Sequence, residues 1–234
     1  MTTPVQAGWR ADATRVMAVC VKDLTAERRT KSNFNAIVAM AGMILLLFGF
    51  ALGADTEGLR NAAAGVLWLT ILFSGVLAFN RSYQIELESG ALEQLLLYPG
   101  ERWTIFIGKV LANLAFVLSM EAITLPLTGV LYHVSFPERW PEVLGVLLLG
   151  TVGFVTLGTL YAAMASRSRS REVLLPLLLF PMLVPLLLSA TQATAALLGG
   201  DVMGDSRTWI RLLATFDVIF LVGATWAFPY VMEG

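Results

Sequence analysis

The stretch VLGVLLLGTVGFVTLGTLYAAMA, Val143–Ala165, carries no charged residue in its 23 positions. Wound as an α-helix it rises about 34 Å, enough to cross the roughly 30 Å hydrocarbon core of a bilayer. Working outward, five further long apolar runs carry few or no charges: Phe34–Ala54, Asn61–Asn80, Thr104–Val130, Val173–Leu198 and Leu212–Met232. The whole chain is 57% hydrophobic and 14% charged, with a mean hydropathy of +0.73. A soluble fold of this size would leave much of that apolar surface wet. The fold class that follows is an all-α, polytopic membrane protein with six transmembrane helices.

The basic residues orient the bundle. With the N-terminus in the cytoplasm, the inner side receives twelve: Arg10, Arg15, Lys22, Arg28, Arg29, Lys31, Arg81, Arg102, Lys109, Arg167, Arg169 and Arg171. The outer side receives four: Arg60, Arg139, Arg207 and Arg211. This imbalance fits the positive-inside rule and returns both termini to the cytoplasm, as in a multi-pass protein of the cell inner membrane. Residues 1–33 are rich in charge, and the apolar run that follows them lacks a small-residue cleavage site, so that run is expected to stay as a helix. Two regions result: residues 1–33, cytoplasmic or interfacial, and residues 34–232, the transmembrane domain.

Within the first region Trp9, Ala13, Val16, Cys20 and Leu24 recur at helical spacing, while Arg10, Arg15, Lys22 and Arg29 lie largely off that stripe. The pattern predicts an amphipathic helix in the membrane interface, or else a solvated helix packed on a partner. Between the second and third spans, about residues 82–99, Glu86, Glu88 and Glu93 accompany Leu92, Leu95 and Leu96 up to the turn at Pro99-Gly100. A short cytoplasmic helix is predicted. Carboxylates sit poorly beside an anionic leaflet, so the helix either meets a basic groove on a partner or is a solvated connector whose leucines dip into lipid. The Ser-Arg alternation over residues 166–171 reads as a topogenic, headgroup-binding turn, not as a nucleic-acid site.

Pro176, Pro181 and Pro185 fall in the fifth span. Each lacks an N–H and crowds the carbonyl four residues back, which predicts a kinked or broken helix inside the bundle. The expected span ends near Ser189, followed by a short re-entrant or interfacial helix over residues 190–198. Trp9, Trp68, Trp103, Trp140, Trp209 and Trp226 are scattered, mostly near span ends as in an aromatic belt.

Catalytic machinery is missing. Gly108-Lys109-Val110 lacks the glycine pattern and hydroxyl of a P-loop, and one cysteine with one histidine supplies no metal or Cys/His site. Glu121, in the third span, costs on the order of 3 kcal/mol at mid-bilayer and has to face protein or water, with Ser119, Thr124 and Asn113 on the same helix. It serves either as a pathway residue or as a buried helix-to-helix hydrogen bond. Asp217 is expected nearer the interface, within reach of Arg207 or Arg211. His133, at the outer end of the third span, is either polar surface or a haem ligand.

Several of these strings resemble one family: Ser89-Gly90-Ala91-Leu92-Glu93-Gln94-Leu95-Leu96-Leu97-Tyr98-Pro99, then Gly108-Lys109-Val110-Leu111-Ala112-Asn113, then the proline-leucine run Leu179–Thr191. Lys22-Asp23-Leu24 with Glu27-Arg28-Arg29-Thr30 matches the family's start. The likeness is to haem exporter protein B, CcmB, the membrane subunit of an ABC transporter in cytochrome c maturation. It implies a type-2 ABC exporter permease whose ATPase-docking helix carries Glu88, Gly90, Leu92, Glu93, Leu95, Leu96 and Pro99. It further implies an ATPase partner (CcmA), the haem-handling protein CcmC, the small subunit CcmD, a homodimeric permease core, and delivery of haem to the chaperone CcmE. Haem would be transported or handled, not held as a cofactor of this chain alone. Residues 161–171 and the outer loops depart from the family's pattern. Two other functions share much of this sequence logic: an ABC permease for a lipid or drug, and an ATPase-independent proton-coupled carrier built on Glu121.

Overall fold

A computed structural model describes residues 8–30, 32–89, 101–134, 140–166, 171–199 and 204–233. The described residues form seven helices: α1 Trp9–Thr30, α2 Ser32–Leu52, α3 Thr56–Ser89, α4 Arg102–Leu131, α5 Trp140–Ser166, α6 Arg171–Leu198 and α7 Ser206–Glu233. All but α1 hold a segment long and apolar enough to cross a membrane, six in total.

Local chemistry sets the helix ends. Gly53 adopts φ 71° and its N–H reaches the Phe50 carbonyl, a left-handed stop that glycine tolerates without a Cβ clash. Two residues on, the Asp55 side chain accepts the Glu57 N–H at 3.1 Å and its carbonyl accepts the Leu59 N–H. Asp55 therefore caps α3 and folds α2 and α3 into a hairpin.

The bundle is built around α5. Side chains fill the positions where α5 has none: Trp68 against Gly150, Asp217 and Leu186 against Gly153, and Phe79 against Gly158. The reverse holds at Gly75 of α3, which receives the Phe154 ring. Apolar burial gives little drive between helices in lipid, so such small-residue approaches, which maximise van der Waals contact, carry the packing. The periphery differs. Met43, Leu47 and Phe50 of α2 and Val218, Val222 and Trp226 of α7 are exposed, as surfaces that meet acyl chains should be.

Three expectations are corrected. First, α6 runs unbroken through Pro176, Pro181 and Pro185 to Leu198, with no separate re-entrant helix over residues 190–198. The reason is a continuous stripe, Leu179, Leu183, Leu186, Ala190, Ala193 and Leu197, all fully buried. Pro181 lies on the exposed side of it. Each proline removes one hydrogen bond, but unwinding in lipid would strand many more. Second, α3 does not stop at Asn80; it continues for another nine residues to Ser89. The predicted helix over about 82–99 is thus, in its described part, an extension of the second span. Third, Trp68 is no belt residue: it is 1% exposed, and its indole N–H donates to the Thr194 hydroxyl at 3.0 Å, joining α3 to α6.

Candidate functional site

Two contacts fix the antiparallel course of α3 and α4. At one end Lys109 of α4 lies over the Tyr83 ring of α3, 4.5 Å from its centroid. At the other, Tyr132, just past α4, clusters with Leu59, Ala63 and Val66 from the start of α3 and donates its hydroxyl to the Leu45 carbonyl at 2.9 Å. The segment between Ser89 and Arg102 therefore leaves and re-enters the bundle at the same end, the one that carries α1. Of the predicted docking residues, Glu88 is in the last turn of α3. Gly90, Leu92, Glu93, Leu95, Leu96 and Pro99 lie outside the described residues.

The α1 end is knit by polar contacts that sequence reading missed. The Lys109 side chain is 0% exposed and pairs with Asp23 of α1 at 3.3 Å. Lys22 pairs with the other oxygen of Asp23 at 3.1 Å. Next to Lys109, Gly108 lets the α1 backbone approach, since any Cβ there would strike Val19 and the Val16 carbonyl. Val19 and Cys20 are buried, whereas Trp9 and Met17 are exposed. The predicted apolar stripe on α1 thus splits, and its Cys20 side faces protein. Burial, then the neighbouring Asp23 carboxylate, push the Cys20 thiol pKa up. Arg102, opening α4, reaches the Pro229 carbonyl near the end of α7 and closes the same end of the bundle.

The intramembrane acids occupy one layer. Glu121 is 5% exposed and accepts a hydrogen bond from the Thr151 hydroxyl of α5. Of its expected helix companions, Asn113 bonds Thr159 of α5 at 3.0 Å, while Ser119 is exposed and bonds only its own backbone. Asp217 corrects its expectation. It is buried against Gly153 and Leu186, its Oδ1 has no hydrogen-bond partner, and Arg207 and Arg211 are exposed without an ion pair to it. Each arginine lies too far toward the helix start, and the α5 glycine offers the carboxyl a pocket instead. Thr151 and Gly153 are two residues apart on α5, so the two acids sit at a similar depth on different faces of that helix.

His133 adopts φ 51°, and the Val134 N–H closes onto the Gly129 carbonyl at 3.0 Å. That is the left-handed C-terminal stop of α4, and it accounts for the residue's place. Cys20 and His133 lie at opposite ends of the bundle. Two concavities lie among the described residues. One of about 570 Å3 at the far end is bordered by Glu57, Arg60 and Asn61 of α3 and Ala195 of α6. The other, about 720 Å3, is an open aromatic groove between α4 and α7 with Trp103, Trp226 and Tyr230.

A family model described as CcmB protein matches residues 14–233. The chain belongs to the CcmB family. It is 29% identical over 210 residues to Heme exporter protein B of Paracoccus denitrificans (strain Pd 1222), covering 90% of this chain and 94% of that protein. It is 32% identical over 176 residues to Heme exporter protein B of Rhodobacter capsulatus, covering 75% and 80%. To the Escherichia coli (strain K12) protein of the same name it is 31% identical over 155 residues, covering 66% and 70%. The matched region takes in α1 from Thr14 onward, so the Asp23–Lys109 contact falls wholly within the CcmB match. Two strings whose likeness to CcmB was visible in sequence, Lys22-Asp23-Leu24 and Gly108-Lys109-Val110, meet here in space.

Proposed function

We propose that this chain is the membrane-spanning permease subunit of an ABC transporter that exports or delivers haem for cytochrome c biogenesis, driven by ATP hydrolysis in a separate partner chain. The observation that carries the reading is the CcmB match over residues 14–233 on a bundle of six candidate spans. In this reading both termini and the α1 end face the cytoplasm of the inner membrane, and the excess of Lys and Arg on that side supports it. The segment from Glu88 to Pro99 is the docking foot for a CcmA-like ATPase; its return to the same end of the bundle supports that role. CcmC-like and CcmD-like subunits and a second copy of the permease complete the assembly, and lipid covers the remaining apolar face. Haem passes as cargo.

The contact with Thr151 favours a packing role for Glu121 over the proton-carrier alternative. A carboxyl that already accepts a buried hydroxyl from a neighbouring helix is satisfied as a packing element. Haem-loaded periplasmic chaperone, measured in cells with and without this chain, tests the cargo. Equal loading in both would refute the haem reading and leave a lipid or drug permease.

A further inference from the structure

We infer that Lys109 and Asp23 are positioning residues that tie α1 to both flanks of the docking segment, making α1 a moving part of the coupling between ATP hydrolysis and transport. The inference rests on the reading of residues 88–99 as the ATPase foot.

Lys109 occupies a three-way junction. Tyr83 lies six residues before α3 ends at Ser89, and Lys109 lies seven residues after α4 begins at Arg102. Those helices are the two legs from which the foot hangs, and the Lys109 ammonium stacks on one while belonging to the other. Asp23 brings in α1 as the third member, 86 positions away in sequence. A displacement of one leg relative to the other at this end is therefore felt at the ammonium that also holds α1.

Stability alone does not explain this choice of residues. Taking an ammonium to zero exposure costs heavily in desolvation, and an apolar pair of similar volume would hold α1 about as well. The close approach at Gly108, with Val16 and Val19 against α4, already supplies van der Waals contact. What an ion pair adds is the ability to exchange. Asp23 engages Lys22 with one oxygen and Lys109 with the other, and the Lys22 side chain is 42% exposed. Asp23 can thus release Lys109 without being left unpaired, which allows α1 to part from α4 and return.

The test uses the purified complex of this chain with its ATPase partner, before and after trapping with ATP and vanadate. The readout is the rate at which N-ethylmaleimide alkylates Cys20, the chain's single cysteine, which is buried on α1. In the unmodified chain, trapping should change that rate about fivefold or more. The double variant Asp23→Leu with Lys109→Met should insert, keep its ATPase and lose the response, along with haem delivery per ATP hydrolysed. The exchanged pair, Asp23→Lys with Lys109→Asp, should regain part of both. If the apolar double variant responds and transports like the unmodified chain, the pair is only structural and the inference falls. If it sheds its ATPase while the unmodified chain holds it, the pair serves docking instead and the inference also falls. Failure of the unmodified chain itself to retain the ATPase would count against the docking foot.

Discussion

The Thr151 hydroxyl of α5 donates to the Glu121 carboxyl of α4, closing a polar contact in the middle of an apolar bundle. Removing the donor while keeping the shape should expose what that contact is worth. Thr151→Val leaves a buried acceptor without its partner and should destabilise the bundle by about 1–3 kcal/mol, read as an earlier midpoint in a detergent thermal-unfolding assay. Glu121→Gln retains an acceptor oxygen for Thr151, so haem delivery and midpoint should both stay near the starting values. Loss of delivery in a well-folded Glu121→Gln protein would return Glu121 to the transport path.

Asp217 should behave in the opposite way. Its Oδ1 is buried without a partner beside Gly153, so the carboxyl is a burden on the fold. Asp217→Asn is expected to leave the unfolding midpoint unchanged or to raise it. A marked drop would show that the carboxyl holds a proton or partner that the bundle depends on.

Packing at the α3–α5 crossing admits a sharper test. The Phe79 ring, fully buried, occupies the space where Gly158 has no side chain. Gly158→Val should force the helices apart at a cost of about 1–3 kcal/mol. Adding Phe79→Leu, which frees volume at the same point, should recover part of the loss. Additive losses in the double variant would mean that the two residues do not share that space.

Cys20 should report its surroundings through pH. Burial and the Asp23 carboxylate raise its thiol pKa, so less thiolate is present at neutral pH and alkylation is slow. The rate should keep climbing at pH values where an unperturbed thiol has levelled off. Asp23→Asn removes the negative neighbour, which lowers the pKa and moves the midpoint of the rate profile to lower pH. A midpoint that stays put would separate the two groups.

Docking is testable at the foot itself. Leu95→Asp or Leu96→Asp should abolish co-purification of the ATPase while membrane insertion survives. Retention of the ATPase by both variants would move its docking surface elsewhere on the chain.

Much of the fold was legible because lipid imposes a simple demand. An uncharged run long enough to span must be a helix, and runs such as Val143–Ala165 have no other solution. The misses share a cause, which is that hydropathy is not helicity. Arg81, Glu86 and Glu88 end the apolar run after Asn80 but interrupt no backbone hydrogen bond, so α3 continues. The prolines of α6 were read through the bonds they delete, whereas the buried stripe from Leu179 to Leu197 decides the outcome. At the α1 end, Asp23 and Lys109 each looked like an ordinary cytoplasmic charge. Their pairing across 86 positions has no local signature; the glycine preceding Lys109 acquires its meaning as a point of close backbone approach only in the structure.

The unbroken length of α3 has a mechanical consequence. Its 34 residues form a rod of about 51 Å, with no proline or glycine between Asn80 and Ser89 to serve as a pivot. A force applied at Ser89 is therefore carried along the helix toward the Trp68–Thr194 bond, which ties α3 to α6, and is not absorbed over those nine residues as a local bend.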